Sequence, residues 1–285
     1  MKSSYLNNLT SSFYLWLDHE ILSKGQAFIN YTGKLYSTYD PVYESVSSTY
    51  SSPFKQWVYD SSVNGAIVPS GIYSNTTFIP RNTSGLSLDY NNGRVIFNNN
   101  IITNNNLTAA YSLKEFNLYF TDEREDKLLF ENAYTVRPKF TQITGGLSYQ
   151  EIPYPCIFIK NRSNENIPFA FGGQDKTESM IRCIVLAKDA FSLDSVISIL
   201  NDSARKVFPL LNPADLPFNY LGDFKTGTNF NYVNLCNVQP ASNYTYIDRV
   251  TVSKLDENTN MYVNKKVMIA IVDFELYNVR YPRIN

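Results

Sequence analysis

One histidine, His19, limits the chemistry open to this chain. A hydrolase triad needs a base beside its nucleophile. His19 falls inside an apolar segment, SFYLWLDHEIL, that reads as helix, and no G-x-S-x-G occurs. The three cysteines, Cys156, Cys183 and Cys236, lack C-x-x-C spacing, and two of them open the apolar runs CIFI and CIVLA. They read as buried free thiols in a reducing compartment. With one histidine and no ligand cluster, no zinc site is expected. Gly172-Gly173-Gln174-Asp175-Lys176-Thr177 has the residue types of a phosphate loop, but no glycine precedes Lys176 as G-x-x-x-x-G-K-[ST] requires. It is expected to be a tight polar loop ahead of a central strand.

Carboxylates offer little more. Asp89, Asn91 and Gly93 resemble the start of a calcium loop, but the acidic twelfth position and further carboxylates are missing, so a hairpin turn is expected. Asp122, Glu123, Glu125 and Asp126 are interrupted by Arg124 and followed by Lys127, which reads as a solvated turn. Acid–base catalysis needs two carboxylates in different environments, and neighbours on one surface turn do not provide them. Two distant carboxylates of a glycosidase remain open, because sequence cannot pair them. The expectation is no enzyme, no cofactor and no metal.

The elements that position these residues are mostly strands. The chain has 285 residues, enough for one large domain or two ordinary ones. Hydrophobic residues are 44% and charged residues 18%, below the usual quarter. The 22 tyrosines and 18 phenylalanines favour strands and interfaces. Residues 1–150 hold 11 basic and 12 acidic side chains and residues 151–285 hold 14 of each. Neither half shows the basic excess expected of a nucleic-acid surface, so no sequence-specific nucleic acid is expected. The N-terminus has a short apolar patch without a long uncharged stretch, which predicts neither a signal peptide nor a membrane span. The N-x-[ST] triplets are what an Asn-, Ser- and Thr-rich chain holds by chance.

Leu6, Leu9, Phe13, Trp16, Leu17 and Ile21 fall three or four apart and predict a helix over 5–23, ended by Gly25. It packs on its own domain or docks as an arm on a neighbouring subunit. Residues 26–139 read as β. Phe54–Tyr59 is a short aromatic run, LSLDY-NN-GRVIF is a hairpin, and Leu107–Thr121 is one long strand. Asn98–Asn106 is a polar bend, and Thr144-Gly145-Gly146 suits a hinge. The expected division is 1–144, an N-terminal helix plus β-rich domain, and 145–285.

In the second part, Tyr154–Ile159 reads as a strand, Asn161–Asn166 as a loop, and Met180–Ala187 as a strand central in its sheet. A helix is predicted over 192–208, capped by Ser192, with Asp194 in its first turn. Leu193, Val196, Ile197, Leu200, Ala204, Val207 and Phe208 form its apolar face, and Pro209 stops it. Strands Tyr244–Leu255 and Val263–Val279 close the chain. The fold class is α+β, with the N-terminal helix and β-rich domain followed by an antiparallel or mixed sheet carrying one main helix on a face.

The block FAFGGQDKTESMIRCIVLA, the helix SLDSVISILNDSARKVFPLL and the closing YIDRVTVSKLDENTNMYVNKKVMIAIVDFELYNVRYPR resemble, in element order, virion structural proteins of large tailed bacteriophages. Within these they are most similar to the tail-terminator, or neck, class. The resemblance covers roughly residues 150–285 and rests on no diagnostic motif. It implies a sheet with a helix on one face that assembles into a ring, commonly a hexamer, joining the tail tube and sheath to the head connector. It places the protein in the virion after synthesis in the host cytoplasm, with no membrane partner.

The interface is expected at the sheet edges and at two loops, 172–178 and 256–262, through Asp175, Lys176, Glu178, Asp256 and Glu257. Other readings are another virion component, such as a head-completion or baseplate protein, and a carbohydrate- or receptor-binding β-protein. In the last, an exposed Trp57 would stack on sugars, although Trp57 is more often a core residue.

Overall fold

A computed structural model describes residues 5–38, 47–98, 106–121, 124–125, 128, 155–170, 172–218, 225, 230–255 and 267–281. The fold is α+β. Helix α1 (Tyr5–Lys24) is followed by β1 (Phe28–Lys34), β2 (Tyr36–Thr38), β3 (Ser47–Ser51), β4 (Gly71–Ser74), β5 (Thr77–Pro80), β6 (Leu86–Asp89), β7 (Arg94–Asn98), β8 (Leu107–Lys114) and β9 (Asn117–Phe120). The second half adds β10 (Cys156–Ala170), β11 (Gln174–Ala187), α2 (Ala190–Asn201), β12 (Val207–Pro209), α3 (Tyr232–Asn237), β13 (Tyr244–Lys254) and β14 (Met268–Arg280).

These strands form three sheets. Two are four-stranded, β1-β8-β4-β5 and β2-β3-β7-β6, and one is six-stranded, β12-β13-β14-β11-β10-β9. The six-stranded sheet is mixed, because β9 pairs parallel with β10 while its other pairs are antiparallel. The β11 strand is central, as its apolar run predicts.

Helix α1 lies at the centre of the molecule. Its apolar residues are not one stripe: Leu9, Phe13, Tyr14, Leu15, Trp16, Leu17, Ile21 and Leu22 are all buried, while Leu6 is exposed. A helix apolar around most of its circumference must be enclosed on most sides, and this one packs on β10, β12, α2 and α3. Phe13 meets Phe274 edge-on at 5.0 Å, and Trp16 stacks on Phe208 at 5.5 Å. Such aromatic pairs add about 0.5–1.5 kcal/mol each beyond area burial. The helix therefore belongs to its own chain's core.

That core runs through both halves. Trp57, Tyr111 and Leu88 share one cluster with Val185, Leu200 and Phe274, and β9, from the first half, belongs to the second half's sheet. The 144/145 boundary and the Thr144–Gly146 hinge lie outside the described residues, and the packing on either side of them is continuous.

Several local expectations are corrected. The 107–121 strand breaks at Glu115 and Phe116, so β8 and β9 serve different sheets. Asn161–Asn166 is part of β10 and not a loop, because β11 pairs with β10 out to Ala170. Helix α2 begins two residues early: Asp189, not Ser192, is the N-cap, and its carboxylate accepts the Ser192 backbone N–H at 2.7 Å. The helix ends at Asn201, so Ala204 lies outside it while Val207 and Phe208 belong to β12. Leu193, Val196, Ile197 and Leu200 do form its buried face. Residues 54–56 are outside any strand, and Trp57 makes only an isolated bridge to Leu113.

The β6–β7 hairpin forms as expected. Gly93 has φ +62°, and a Cβ there would overlap the Phe54 carbonyl. Asp89 accepts both the backbone N–H and the side-chain amide of Asn92, which makes it a turn residue.

Candidate functional site

Of the expected interface charges, Asp175, Lys176 and Glu178 lie on strand β11, not in a loop. The turn between β10 and β11 is shorter and centres on Gly172 and Gly173, at φ +98° and +86°. Alternation along β11 sends its residues to opposite faces. Asp175 is buried at 2% exposure. Lys176 and Glu178 stand on the outer face, away from α1 and α2, where Lys176 Nζ donates to Glu178 Oε1 at 2.6 Å and lies 4.8 Å from the Tyr277 ring centre. The Glu178 carboxylate beside Lys176 raises the ammonium's pKa. Asp256 and Glu257 lie outside the described residues.

The outer face changes character along the sheet. At one end Cys156, Phe158, Ile184, Leu186 and Ile269 form a small apolar cluster. Next comes Arg182, held by Asp273 at 2.7 Å and by Glu125 at 2.8 Å. Glu125 is thus an ion-pair partner, while Asp122, Glu123, Asp126 and Lys127 of the expected solvated turn lie outside the described residues. Beyond it lies a shallow concavity of about 390 Å³ floored by Met180, Glu178 and Tyr277 and bordered by Glu165, Asp248 and Glu275. Tyr246 and Tyr277 stack on each other at 5.0 Å beside it.

The edges of this sheet are short where paired and long where open. The β9 strand covers only Cys156–Ile159 of β10, and β12 covers only Tyr244–Tyr246 of β13. Among the described residues, the outer edge of β10 from Arg162 to Ala170 and that of β13 from Asp248 to Lys254 carry no partner strand. Every residue of β10 from Arg162 onward is exposed.

His19 has a partner that spacing did not suggest. Its Nδ1 lies 2.8 Å from Asp60 Oδ2, and its ring stacks on Tyr232 at 4.8 Å. Asp60 Oδ1 accepts from the Ser62 backbone N–H, the Ser62 hydroxyl and the Tyr232 backbone N–H. Burial pushes the Asp60 pKa up, but the bonds from His19, Ser62 and Tyr232 outweigh it and hold the carboxyl below its ordinary value.

A relay to a serine nucleophile needs the acid and the serine on opposite ring nitrogens. Here Ser62 Oγ is 3.5 Å from the same Nδ1 that faces Asp60, and it already donates to Asp60 at 2.6 Å. The cluster therefore clamps α1, the 60–62 turn and the start of α3 together. Its members are 41 and 172 positions apart in sequence, beyond the reach of any spacing motif. The Asp-Ser-Ser turn was the local signal available.

The thiols are not activated. Burial raises the pKa of Cys156, Cys183 and Cys236, and low-pKa thiolates are the reactive ones. Trp57 is fully buried and stacks on Tyr111 at 4.3 Å, so it offers no face to a sugar. Among the described residues, no group of three or more His, Cys, Asp or Glu side chains is placed to hold a metal ion, and no helix is long and apolar enough to cross a membrane. Compared with known proteins, the sequence matches no protein-family model and no curated protein.

Proposed function

We propose that this chain is a non-catalytic structural subunit that assembles with copies of itself, of the ring-forming tail-terminator or neck type to which its second half is similar. The observation that carries the reading is the pair of edges on the six-stranded sheet, one on each side, that carry no partner strand among the described residues. Exposed edges invite pairing with another chain, and proteins either guard them or use them. A head-to-tail contact satisfies one edge of each copy with the opposite edge of the next, and it closes into a ring when the rotation permits.

Two polar clusters among the described residues support the same reading, since they hold the fold. His19 and Asp60 clamp three segments, and Arg182 joins β11 to β14 and Glu125. In this role Lys176 and Glu178 lie on a docking face and set register and steering more than affinity. The partners would be further copies of the chain, the tail tube and sheath, and the head connector, within a phage virion. Negative-stain images of the purified chain test the reading: closed rings with a central pore support it, and single particles of one chain's size at every concentration overturn it.

A further inference from the structure

We infer that copies join by laying the β10 edge of one against the β13 edge of the next, antiparallel and displaced by four residues. The inference rests on the self-assembly reading above and specifies its contact.

The polarity follows from the ladder. Strands β10, β11, β14 and β13 alternate in direction, so β10 and β13 run opposite ways. A second copy added in the same orientation places its β13 antiparallel to the first copy's β10. The pair then continues the ladder without inverting the sheet's faces.

The displacement follows from the two short strands that cap the edges. Within one chain Glu165 is level with Glu178, Tyr277 and Tyr246, and Tyr246 is already paired with Val207 of β12. An unshifted neighbour would therefore drive β10 into β12. It would also drive β9 into the free part of β13, because Cys156–Ile159 stand level with Val252–Lys254 and the residue after it. An odd shift would exchange the inner and outer faces. A shift of two leaves Ile167 opposite Tyr246 and β9 against Lys254.

A shift of four, about 13 Å at the usual rise per residue, carries β9 past Lys254 and leaves only the last residues of β10, from Pro168 on, level with the segment that caps β13. It sets Ile167 opposite Arg249, Asn166 opposite Val250, Glu165 opposite Thr251, Asn164 opposite Val252 and Ser163 opposite Ser253. The pairing stops at Ile167: the next place, Ile247, is already bonded to Arg205 and Lys206, and Pro168 has no N–H to offer, so Pro168–Ala170 turn aside there. The bulge between Asn161 and Ser163 ends the free stretch at its other end. Charge agrees with this register. Glu165 comes diagonal to Arg249 of the neighbour, within reach of a long side chain. That guanidinium is bound to Glu275 on one side and is 66% exposed, and it has further donors to give.

The test uses disulfide trapping in the full chain with Cys236→Ser, since Cys156 and Cys183 are buried. Glu165→Cys and Thr251→Cys, both at exposed positions, are made in separate chains and mixed under mild oxidation. The expected result is a crosslinked product of twice the chain mass in the mixture and none from either variant alone. Crosslinking of Glu165→Cys with itself would mean that two β10 edges meet, and would overturn the inference. So would trapping of Lys160→Cys with Thr251→Cys in place of the first pair, since that is the unshifted register. Assembly without any of these crosslinks would overturn the inference but leave the self-assembly reading standing. A chain that stays monomeric throughout would overturn both.

Discussion

Lys114 Nζ lies 2.8 Å from both carboxylate oxygens of Asp18, and neither side chain is more than 3% exposed. The pair ties the middle of α1 to the end of β8, and the ammonium also sits 4.2 Å from the Tyr59 ring centre. Burial lowers the Lys114 pKa by more than the facing Asp18 carboxylate raises it. Removing one partner leaves a buried charge without compensation. Asp18→Asn is therefore expected to lower unfolding stability by about 3–5 kcal/mol, whereas Asp18→Leu combined with Lys114→Met should lose far less. Urea unfolding of the three chains checks this.

The Asp60 clamp gives the fold a sensitivity to acid. Its folded-state pKa lies below the ordinary 3.8, and Glu20, held by Lys24 and Lys206 against the upward push of burial, lies below the ordinary 4.5. A depressed carboxyl pKa contributes stability that is complete above the unfolded value and is lost as pH falls through the folded one. Stability should thus decline as pH drops below about 4.5, and more steeply below about 3.8. Asp60→Asn should be less stable at pH 7 and show a shallower acid dependence, measured by thermal unfolding across that range.

Leu200 and Asn201 are adjacent on α2, about 100° apart around its axis, and lie on different faces of it. Leu200 is fully buried and Asn201 is exposed. Leu200→Asp is expected to lose several kcal/mol, because the new carboxylate is buried and unpaired. Asn201→Asp should lose no more than about 0.3–1 kcal/mol, from a negative charge at the negative end of the helix. Equal stabilities in denaturant titration would contradict the face assignment.

Gly93 combines a left-handed φ with a tight approach to the Phe54 carbonyl. Gly93→Ala forces both a disfavoured backbone conformation and a steric overlap, with an expected loss of about 1–3 kcal/mol. Thermal unfolding of Gly93→Ala beside Gly172→Ala separates the two effects. Gly172 also has positive φ but has nothing near its missing Cβ, so its loss should be the smaller.

Much of the secondary structure was legible because periodicity reports it directly. The α1 spacing, the β6–β7 turn chemistry and the alternation of β13 became elements near their expected bounds, and β14 ends one residue past the expected Val279, the expected start at Val263 lying outside the described residues. The misplaced features depend on partners distant in sequence. Residues 161–166 are polar on both faces and carry no apolar alternation, so only their pairing with β11 identifies them as strand. Ser192 and Asp189 are both good caps, and Phe191 between them is helical yet 84% exposed, so it adds nothing to the buried face that marks the helix in sequence. The His19–Asp60 clamp and the Asp18–Lys114 pair join segments that only the tertiary fold brings together. The open edges of β10 and β13 were not legible either, since an edge is defined by which strands stop short of it.

The mass of the full chain in solution, followed by sedimentation over a range of concentrations, tests the central claim most directly. Self-assembly through opposite edges of one sheet predicts a discrete closed species, a hexamer on the neck-type reading, that gains population with concentration and stops growing. A single species of 32.6 kDa at every concentration would contradict the account.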